Sequence, residues 1–207
     1  MYFCIVSSYF FCLYEKYPQI SQDISKSIHY SCNSLTIIQS SKKEVEIFYQ
    51  DGRIMAQPIE IYKFMNVNRI IDLVSDNKND ALKELAEVIG TSDIVSDEAL
   101  FLKKIYEREK LMSTGIGYSI AVPHIRDASV KDFVIAFGRK AEGLDYESID
   151  NKPVKLIFMI GASETQDKDY IRLLSRVVLR LKNKTFVKNL LEAETPEKIY
   201  TLIKDQD

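Results

Sequence analysis

Cysteine is scarce in this chain, and its scarcity excludes two kinds of site. The three cysteines, Cys4, Cys12 and Cys32, form an odd set with no Cys-x-x-Cys spacing. This pattern argues against a disulfide framework and against a zinc knuckle. The rest of the chain contains no cysteine, so its main domain needs neither a disulfide nor an oxidising compartment.

An excess of either charge and a long apolar run are also missing. The chain has 28 Lys and Arg against 30 Asp and Glu, a net charge of -2, and no basic run, so we expect no nucleic-acid partner. Residues 1–14 are apolar and uncharged. They are too short to span a bilayer and lack the basic start of a signal peptide. We therefore expect no direct membrane insertion; a cleaved or membrane-associated leader is the alternative.

The 207 residues indicate one domain with an extension. The texture of the sequence changes at Met65, and we predict a main domain over 65–207, which is long enough to bury its own core. Residues 1–64 are an N-terminal extension of unknown role, or an upstream stretch wrongly joined to a protein that starts at Met65. Apolar runs on either side of Asp51-Gly52 predict a hairpin over 44–62, with Pro58 confining its second strand to an edge.

Apolar spacing in the main domain predicts helices and strands in alternation. The predicted helices cover 77–89, a segment capped by Ser96, 170–181, 186–191 and a final segment that begins at Thr195-Pro196. The predicted strands cover 118–122, 133–137 and 154–160. Strands mixed with helices in this way imply a layered α/β domain.

Two histidines are available for chemistry, and only one has a suggestive context. His29 lies in a polar, Ser-rich stretch, where a solvated loop residue is expected. His124 follows a short apolar run and Pro123, which marks a strand end, where α/β folds place functional groups. Without further information, a structural histidine is the more common case at such a position.

The segment before His124 could bind a phosphoryl group. Its members are Ser113, Thr114, Gly115, Gly117 and Ser119, which offer hydroxyl donors and closely approachable backbone. A neutral imidazole has a free nitrogen that can attack phosphorus, and phosphoryl transfer needs mainly positioning and charge neutralisation. No Walker or Rossmann loop, Cys-His pair or Gly-x-Ser-x-Gly elbow is present in the main domain.

Three ordered segments carry a family resemblance: Arg108-Glu109-Lys110, 113–117 and 120–124. They resemble the signature of the IIA domain of the fructose/mannitol class (type 2) of the phosphoenolpyruvate-dependent phosphotransferase system (PTS), which nitrogen-regulatory IIA proteins share. The likeness continues through 143–154 and covers about 65–207. It implies an α/β fold with a mixed sheet flanked by helices on both sides.

The resemblance also implies a role for each matching residue. His124 would become a tele-phosphohistidine, and Arg108 would stabilise the phosphoryl group; otherwise Arg108 is a solvated charge at a helix end. The donor would be the phosphocarrier protein HPr, the acceptor a IIB component of a sugar permease, and the setting cytoplasmic. No cofactor or metal is implied.

Two neighbouring residues remain open. Many family members carry a second histidine where this chain has Tyr170. A tyrosine can hydrogen-bond a neighbouring imidazole or phosphoryl oxygen but cannot act as a cation, and a packing role for Tyr170 is equally reasonable. Arg126 could face a phosphorylated partner or be an ordinary loop charge.

Three functions fit this sequence. The first is a sugar-system relay from HPr to IIB. The second is a nitrogen-regulatory type of protein that acts by phosphorylation-dependent protein binding. The third is a degenerate binding domain that is never phosphorylated.

Overall fold

Two short antiparallel strands are the first elements of the computed structural model, which describes residues 35–39, 45–49 and 59–206. Strand β1 (Leu35–Gln39) pairs with β2 (Val45–Tyr49), with Leu35 opposite Tyr49. They belong to a unit over residues 1–58, and a second unit covers 59–207. The predicted domain boundary between 64 and 65 stays a prediction.

The hairpin predicted over 44–62 differs from the pairing found. The described partner of β2 is the preceding strand, where Thr36, Ile37 and Ile38 favour extended backbone. Most of the predicted second strand, residues 51–58, lies outside the described residues, and Ile61–Phe64 forms a 3-10 helix instead of a strand.

A six-stranded mixed sheet forms the centre of the second unit. Its strands are β3 (Ile70–Asp72), β4 (Gly115–Gly117), β5 (Ile120–Ala121), β6 (His124–Arg126), β7 (Val134–Leu144) and β8 (Val154–Ala162). The order is β3-β7-β8-β5-β4, and β6 also pairs with β8. The β3–β7, β5–β8 and β6–β8 pairs are parallel, whereas β7–β8 and β4–β5 are antiparallel.

Five α-helices accompany this sheet in the described residues. They are α1 (Lys78–Gly90), α2 (Glu98–Leu111), α3 (Asp167–Leu181), α4 (Lys184–Glu192) and α5 (Pro196–Gln206). All five overlap the predicted helices. None of the helices in the described part of the chain is long and apolar enough to cross a membrane.

Side chains that cap the helices explain where they start. Asn77 accepts from the N–H of Asp80 at α1, and Thr195 accepts from the N–H of Lys198 at α5. The cap predicted for α2 was wrong by one residue: Asp97, not Ser96, accepts from the N–H of Leu100, at 2.9 Å. Ser96 instead donates both its N–H and its hydroxyl to the carbonyl of Ser129.

Two apolar cores lie on opposite faces of the sheet. Strands β7 and β8 alternate between them: Phe137 and Phe158 join the core of α3, α4 and α5, and Ala136 and Met159 join the core of α1 and α2. Every residue of β8 except Lys155 is buried, as in a strand covered on both faces. The expected mixed sheet with helices on both sides is confirmed.

Candidate functional site

His124 stands at the point where a strand is interrupted and resumes. Strand β5 pairs with β8 at Leu156 and Ile157, and β6 pairs with the same strand from Ile160 onward. Between them Pro123 has no N–H to donate, but its carbonyl accepts from Ile160 at 2.9 Å. The strand predicted over 118–122 is shorter in the structure, where β5 covers Ile120–Ala121. After Pro123 the pairing with β8 resumes in β6.

The imidazole of His124 has a defined tautomer. Its Nδ1 lies 2.6 Å from the carbonyl oxygen of Val122. A carbonyl can only accept, so Nδ1 carries the hydrogen and donates it. In the neutral ring the lone pair is therefore on Nε2, the atom a tele-phosphohistidine requires.

Burial and a nearby cation keep this ring neutral. Loss of solvation is the main cause, and the positive charge of Arg108 adds to it; together they lower the pKa of His124 from 6.5 to about 4. The hydrogen bond to Val122 opposes this shift because it stabilises the charged ring. The side chain still retains partial solvent exposure. At neutral pH the ring is therefore unprotonated, and the residue is only partly buried.

Arg108 supplies a positive charge without a carboxylate partner. It lies in the last turn of α2, and its Nη1 donates to the carbonyl of Met112 at 2.9 Å. Among the described residues, no carboxylate lies within ion-pair distance of it. Because a carbonyl does not cancel its charge, this guanidinium can still attract an anion.

Tyr170 lies next to the imidazole, and Arg126 lies over the Tyr170 ring. The Tyr170 ring is buried, with its centroid 6.1 Å from that of His124. The guanidinium of Arg126 lies 5.5 Å from the Tyr170 ring centroid and forms an ion pair with Asp167. Burial raises the pKa of Tyr170, so its hydroxyl is neutral. The structure thus brings both residues close to His124, but the charge of Arg126 is already paired.

Most polar groups of the predicted phosphoryl-binding segment are hydrogen-bonded within the protein. Thr114 is buried, and its N–H and hydroxyl contact the Glu109 carboxylate at 2.8 and 2.7 Å. Gly115 donates to the hydroxyl of Ser113 at 3.2 Å, and Gly117 donates to that of Ser148 at 3.1 Å. A phosphoryl-binding role for this segment stays a prediction that these contacts do not favour.

The turn that joins β4 and β5 lies away from the imidazole. Its residue Ser119 accepts from the N–H of Leu156, whereas His124 is paired with Ile160 on the same strand. Four residues of extended chain separate these positions by about 13 Å. Gly117, with φ +83°, and Ser119, with φ +64°, therefore serve the turn and not the surroundings of His124.

A buried polar cluster under Arg108 was missed by the sequence analysis. The Glu109 carboxylate accepts from Thr114 and lies 3.1 Å from the ammonium of Lys78. The buried Tyr146 hydroxyl lies 3.1 Å from the Thr114 hydroxyl. Burial, and after it the negative charge of Glu109, raise the pKa of Tyr146. The cluster fixes the segment that follows α2, next to Arg108. Glu109 stood in the Arg-Glu-Lys segment, but a glutamate near a helix end usually faces solvent.

The described residues contain no group of three His, Cys, Asp or Glu side chains that could hold a metal ion. The features that can act on a ligand are one neutral imidazole and one uncompensated guanidinium. This pair suits the transfer of an anionic group to Nε2.

Comparison with known proteins places this site in a family context. Residues 63–206 match the family described as "Phosphoenolpyruvate-dependent sugar phosphotransferase system, EIIA 2". The chain is 37% identical over 137 residues to the PTS system fructose-specific EIIABC component of Bacillus subtilis, covering 66% of this chain and 22% of that protein. It is 31% identical to the PTS system fructose-specific EIIA component of Haloferax volcanii, covering 62% of this chain and 83% of that protein.

A solved structure is also similar to this chain in fold and in sequence. The crystal structure of the nitrogen regulatory protein IIA-Ntr from Neisseria meningitidis superposes with a TM-score of 0.65 and 27% identity. The match covers 69% of this chain and 98% of that one. Relatives of this chain thus carry both sugar-system and nitrogen-regulatory names.

Proposed function

Since the chain belongs to the EIIA 2 family of the phosphoenolpyruvate-dependent sugar phosphotransferase system, we propose that it carries a phosphoryl group on Nε2 of His124. The group arrives from an HPr-type phosphocarrier protein and leaves to a IIB component of a sugar permease. The observation that carries the proposal is the Nδ1 hydrogen bond to Val122, because it leaves the lone pair on Nε2.

The transfer step balances in atoms and charge. The Nε2 lone pair forms the new N–P bond while the bond from phosphorus to the donor's leaving atom breaks. The ring keeps its Nδ1 proton and becomes positively charged, and the Val122 carbonyl stabilises that charge. Onward transfer reverses these changes, and the ring returns to its neutral state.

Arg108 is the cation that supports the phosphoryl group in this proposal. Its charge already acts on the imidazole, and no described carboxylate cancels it. A fixed cation near a partly desolvated site stabilises the charge of the transferring group without reorganisation. Arg126 has a different role: it packs on Tyr170 and pairs with Asp167. These contacts hold Tyr170 in place beside the His124 imidazole.

Radioactive phosphoenolpyruvate, enzyme I and HPr test the site directly. The wild-type chain should gain acid-labile label, and His124→Gln should gain none. His29→Gln is the matched control, because it removes the other histidine and should label as well as the wild type. Label that persists in His124→Gln would contradict the assignment of the site.

A nitrogen-regulatory role is the alternative, and the similarity to IIA-Ntr supports it. Such a protein would accept the phosphoryl group but act by binding other proteins in one phosphorylation state. Adding purified IIB components to the labelled chain separates the two functions. Rapid loss of label to a IIB component supports the relay, whereas stable label with every IIB component tested supports the regulator. The proposed location is cytoplasmic in both cases, since HPr must reach the site.

A further inference from the structure

A strained aromatic turn lies on the surface at the end of the sheet away from His124. Tyr118 and Ser119 form the two-residue connection between β4 and β5, with φ of +58° and +64°. Two-residue hairpin turns with positive φ favour Asn and Gly, because a Cβ atom disfavours this conformation. The chain has tyrosine here, and this residue is 63% exposed.

Hydrogen bonding holds this turn in place. The N–H of Tyr118 donates to the carboxylate of Asp150 at 3.1 Å, and Gly117 donates to Ser148. Ser148 and Asp150 lie in the loop between β7 and β8, and this loop also presents Ile149, which is 55% exposed. An aromatic and an aliphatic side chain are thus held in solvent, although packing within the described residues does not require either of them there.

A groove lined by lysines adjoins this turn. It has a volume of about 400 Å³, and its apolar lining comes from Leu181, Val187 and Leu191. Its charged lining residues are Lys152, Lys182, Lys184, Lys188 and Glu192. The groove therefore has a net charge of +3 in a chain whose net charge is -2.

We propose that the Tyr118 turn and this groove form a docking surface for an acidic peptide segment of a partner protein. Acidic side chains would meet the lysine rim, and an apolar side chain would enter between Tyr118 and Val187. Clustered positive charge selects such a segment over a neutral or basic one, and exposed aromatic residues are typical anchors at protein interfaces.

This surface and His124 can be occupied together. Helix α3 has Tyr170 near the imidazole and Leu181 at the groove. Eleven residues of α-helix separate these two by about 16 Å. A partner held in the groove therefore leaves the imidazole open to a phosphoryl donor, so this proposal does not depend on phosphorylation of His124.

Nuclear magnetic resonance titration of the full chain tests the proposal. The probe is a synthetic peptide in which pairs of glutamates alternate with pairs of leucines, and the control peptides replace Glu by Lys or Leu by Ser. We expect the first peptide to shift the amide signals of Tyr118, Val187 and Lys184. A higher salt concentration should weaken the binding of this peptide. Shifts confined to the surroundings of His124, or none, would overturn the proposal.

Charge-reversed variants give a matched comparison. Lys152→Glu with Lys184→Glu should weaken peptide binding about tenfold. Lys103→Glu with Lys198→Glu changes the net charge equally on exposed sites elsewhere and should leave binding unchanged. Both doubles should still be labelled from phosphoenolpyruvate, so a failure of docking is distinct from a failure of His124. Equal loss of peptide binding in both doubles would contradict a specific groove.

Tyr118→Asn separates docking from folding. Asparagine tolerates positive φ, so thermal stability should stay the same or rise, whereas peptide affinity should fall. Unchanged affinity would overturn the anchoring role of Tyr118. Two other occupants of the groove would give different results. Equal shifts of the amide signals with inorganic phosphate would indicate a site for small anions. A dimer in sedimentation that these variants abolish would indicate a second copy of this chain. Either result would overturn the peptide proposal.

Discussion

Acid should destabilise this protein through His124. Burial and Arg108 lower the pKa of that ring to about 4, from 6.5 when it is free in water. A tenfold change in an acid dissociation constant corresponds to about 1.4 kcal/mol, so protonating the ring costs the folded protein about 3 kcal/mol. This cost is absent well above pH 6.5, begins as the unfolded chain takes up its proton, and grows until the pH passes the folded pKa.

Urea unfolding between about pH 7 and about pH 4 measures this cost, with one variant as reference. His124→Asn places an amide near the position of Nδ1, so it can still donate to Val122 but cannot titrate. We expect the free energy of unfolding of the wild type to fall by about 3 kcal/mol more than that of His124→Asn over this range. All other titrating groups are shared and cancel in the difference.

The ring can also be observed directly. A His29→Gln background leaves one histidine in the chain, and its carbon-bound proton should titrate with a midpoint near pH 4. A midpoint near 6.5, or parallel unfolding curves for the wild type and His124→Asn, would refute the argument that burial and Arg108 keep the nucleophile neutral.

Further substitutions test the remaining parts of the site and fold. Arg108→Gln should slow labelling from HPr by about 100-fold and raise the pKa of the neighbouring imidazole, which a ring titration would detect. Arg126→Gln should slow labelling by less than about tenfold, because its charge is already paired; equal losses in the two would contradict the division of roles. Glu109→Ala should cost about 1 to 3 kcal/mol in urea unfolding, since it leaves the buried N–H of Thr114 without its acceptor, whereas Lys78 keeps its ion pair with Glu147; a loss below about 0.5 kcal/mol would contradict the cluster. Gly143→Ala should cost about 1 to 3 kcal/mol, because φ is +80° and the added Cβ would lie 2.8 Å from Pro153 Cβ, whereas at Gly90 the added methyl meets only a movable glutamate side chain and should cost less than about 1 kcal/mol.

Regular packing made much of the fold predictable from the sequence. Helix α1 shows its apolar face at helical spacing, and it ends at Gly90, a residue type that commonly ends helices. Strand β8 is a continuous apolar run, which a strand covered on both faces requires. The cap of α2 could not be placed, because Ser96 is a suitable cap by type and only the distant carbonyl of Ser129 shows that its donors are used elsewhere.

Long-range contacts limited what could be predicted of the site. The structure places Arg108 and Tyr170 close to His124, and the roles that the family resemblance implies for them stay predictions. The hydrogen bond that sets the tautomer joins His124 to the carbonyl two residues earlier, and residue types alone do not reveal it. The burial of Glu109 depends on Lys78, 31 positions earlier in the chain, and no local pattern announces such a pair.

The two adjacent residues at the end of α2 should follow different evolutionary courses. The Glu109 carboxylate is hydrogen-bonded in the interior, so any descendant of this protein must keep it or repack its surroundings in order to fold, even if the proposed phosphoryl exchange is lost. The hydrogen bond described for the Arg108 side chain goes to the Met112 carbonyl, so a lineage that no longer uses the proposed transfer can replace this arginine at little cost in stability. In relatives that keep the residue matching Glu109 but vary the one matching Arg108, we therefore expect the same fold without phosphoryl transfer.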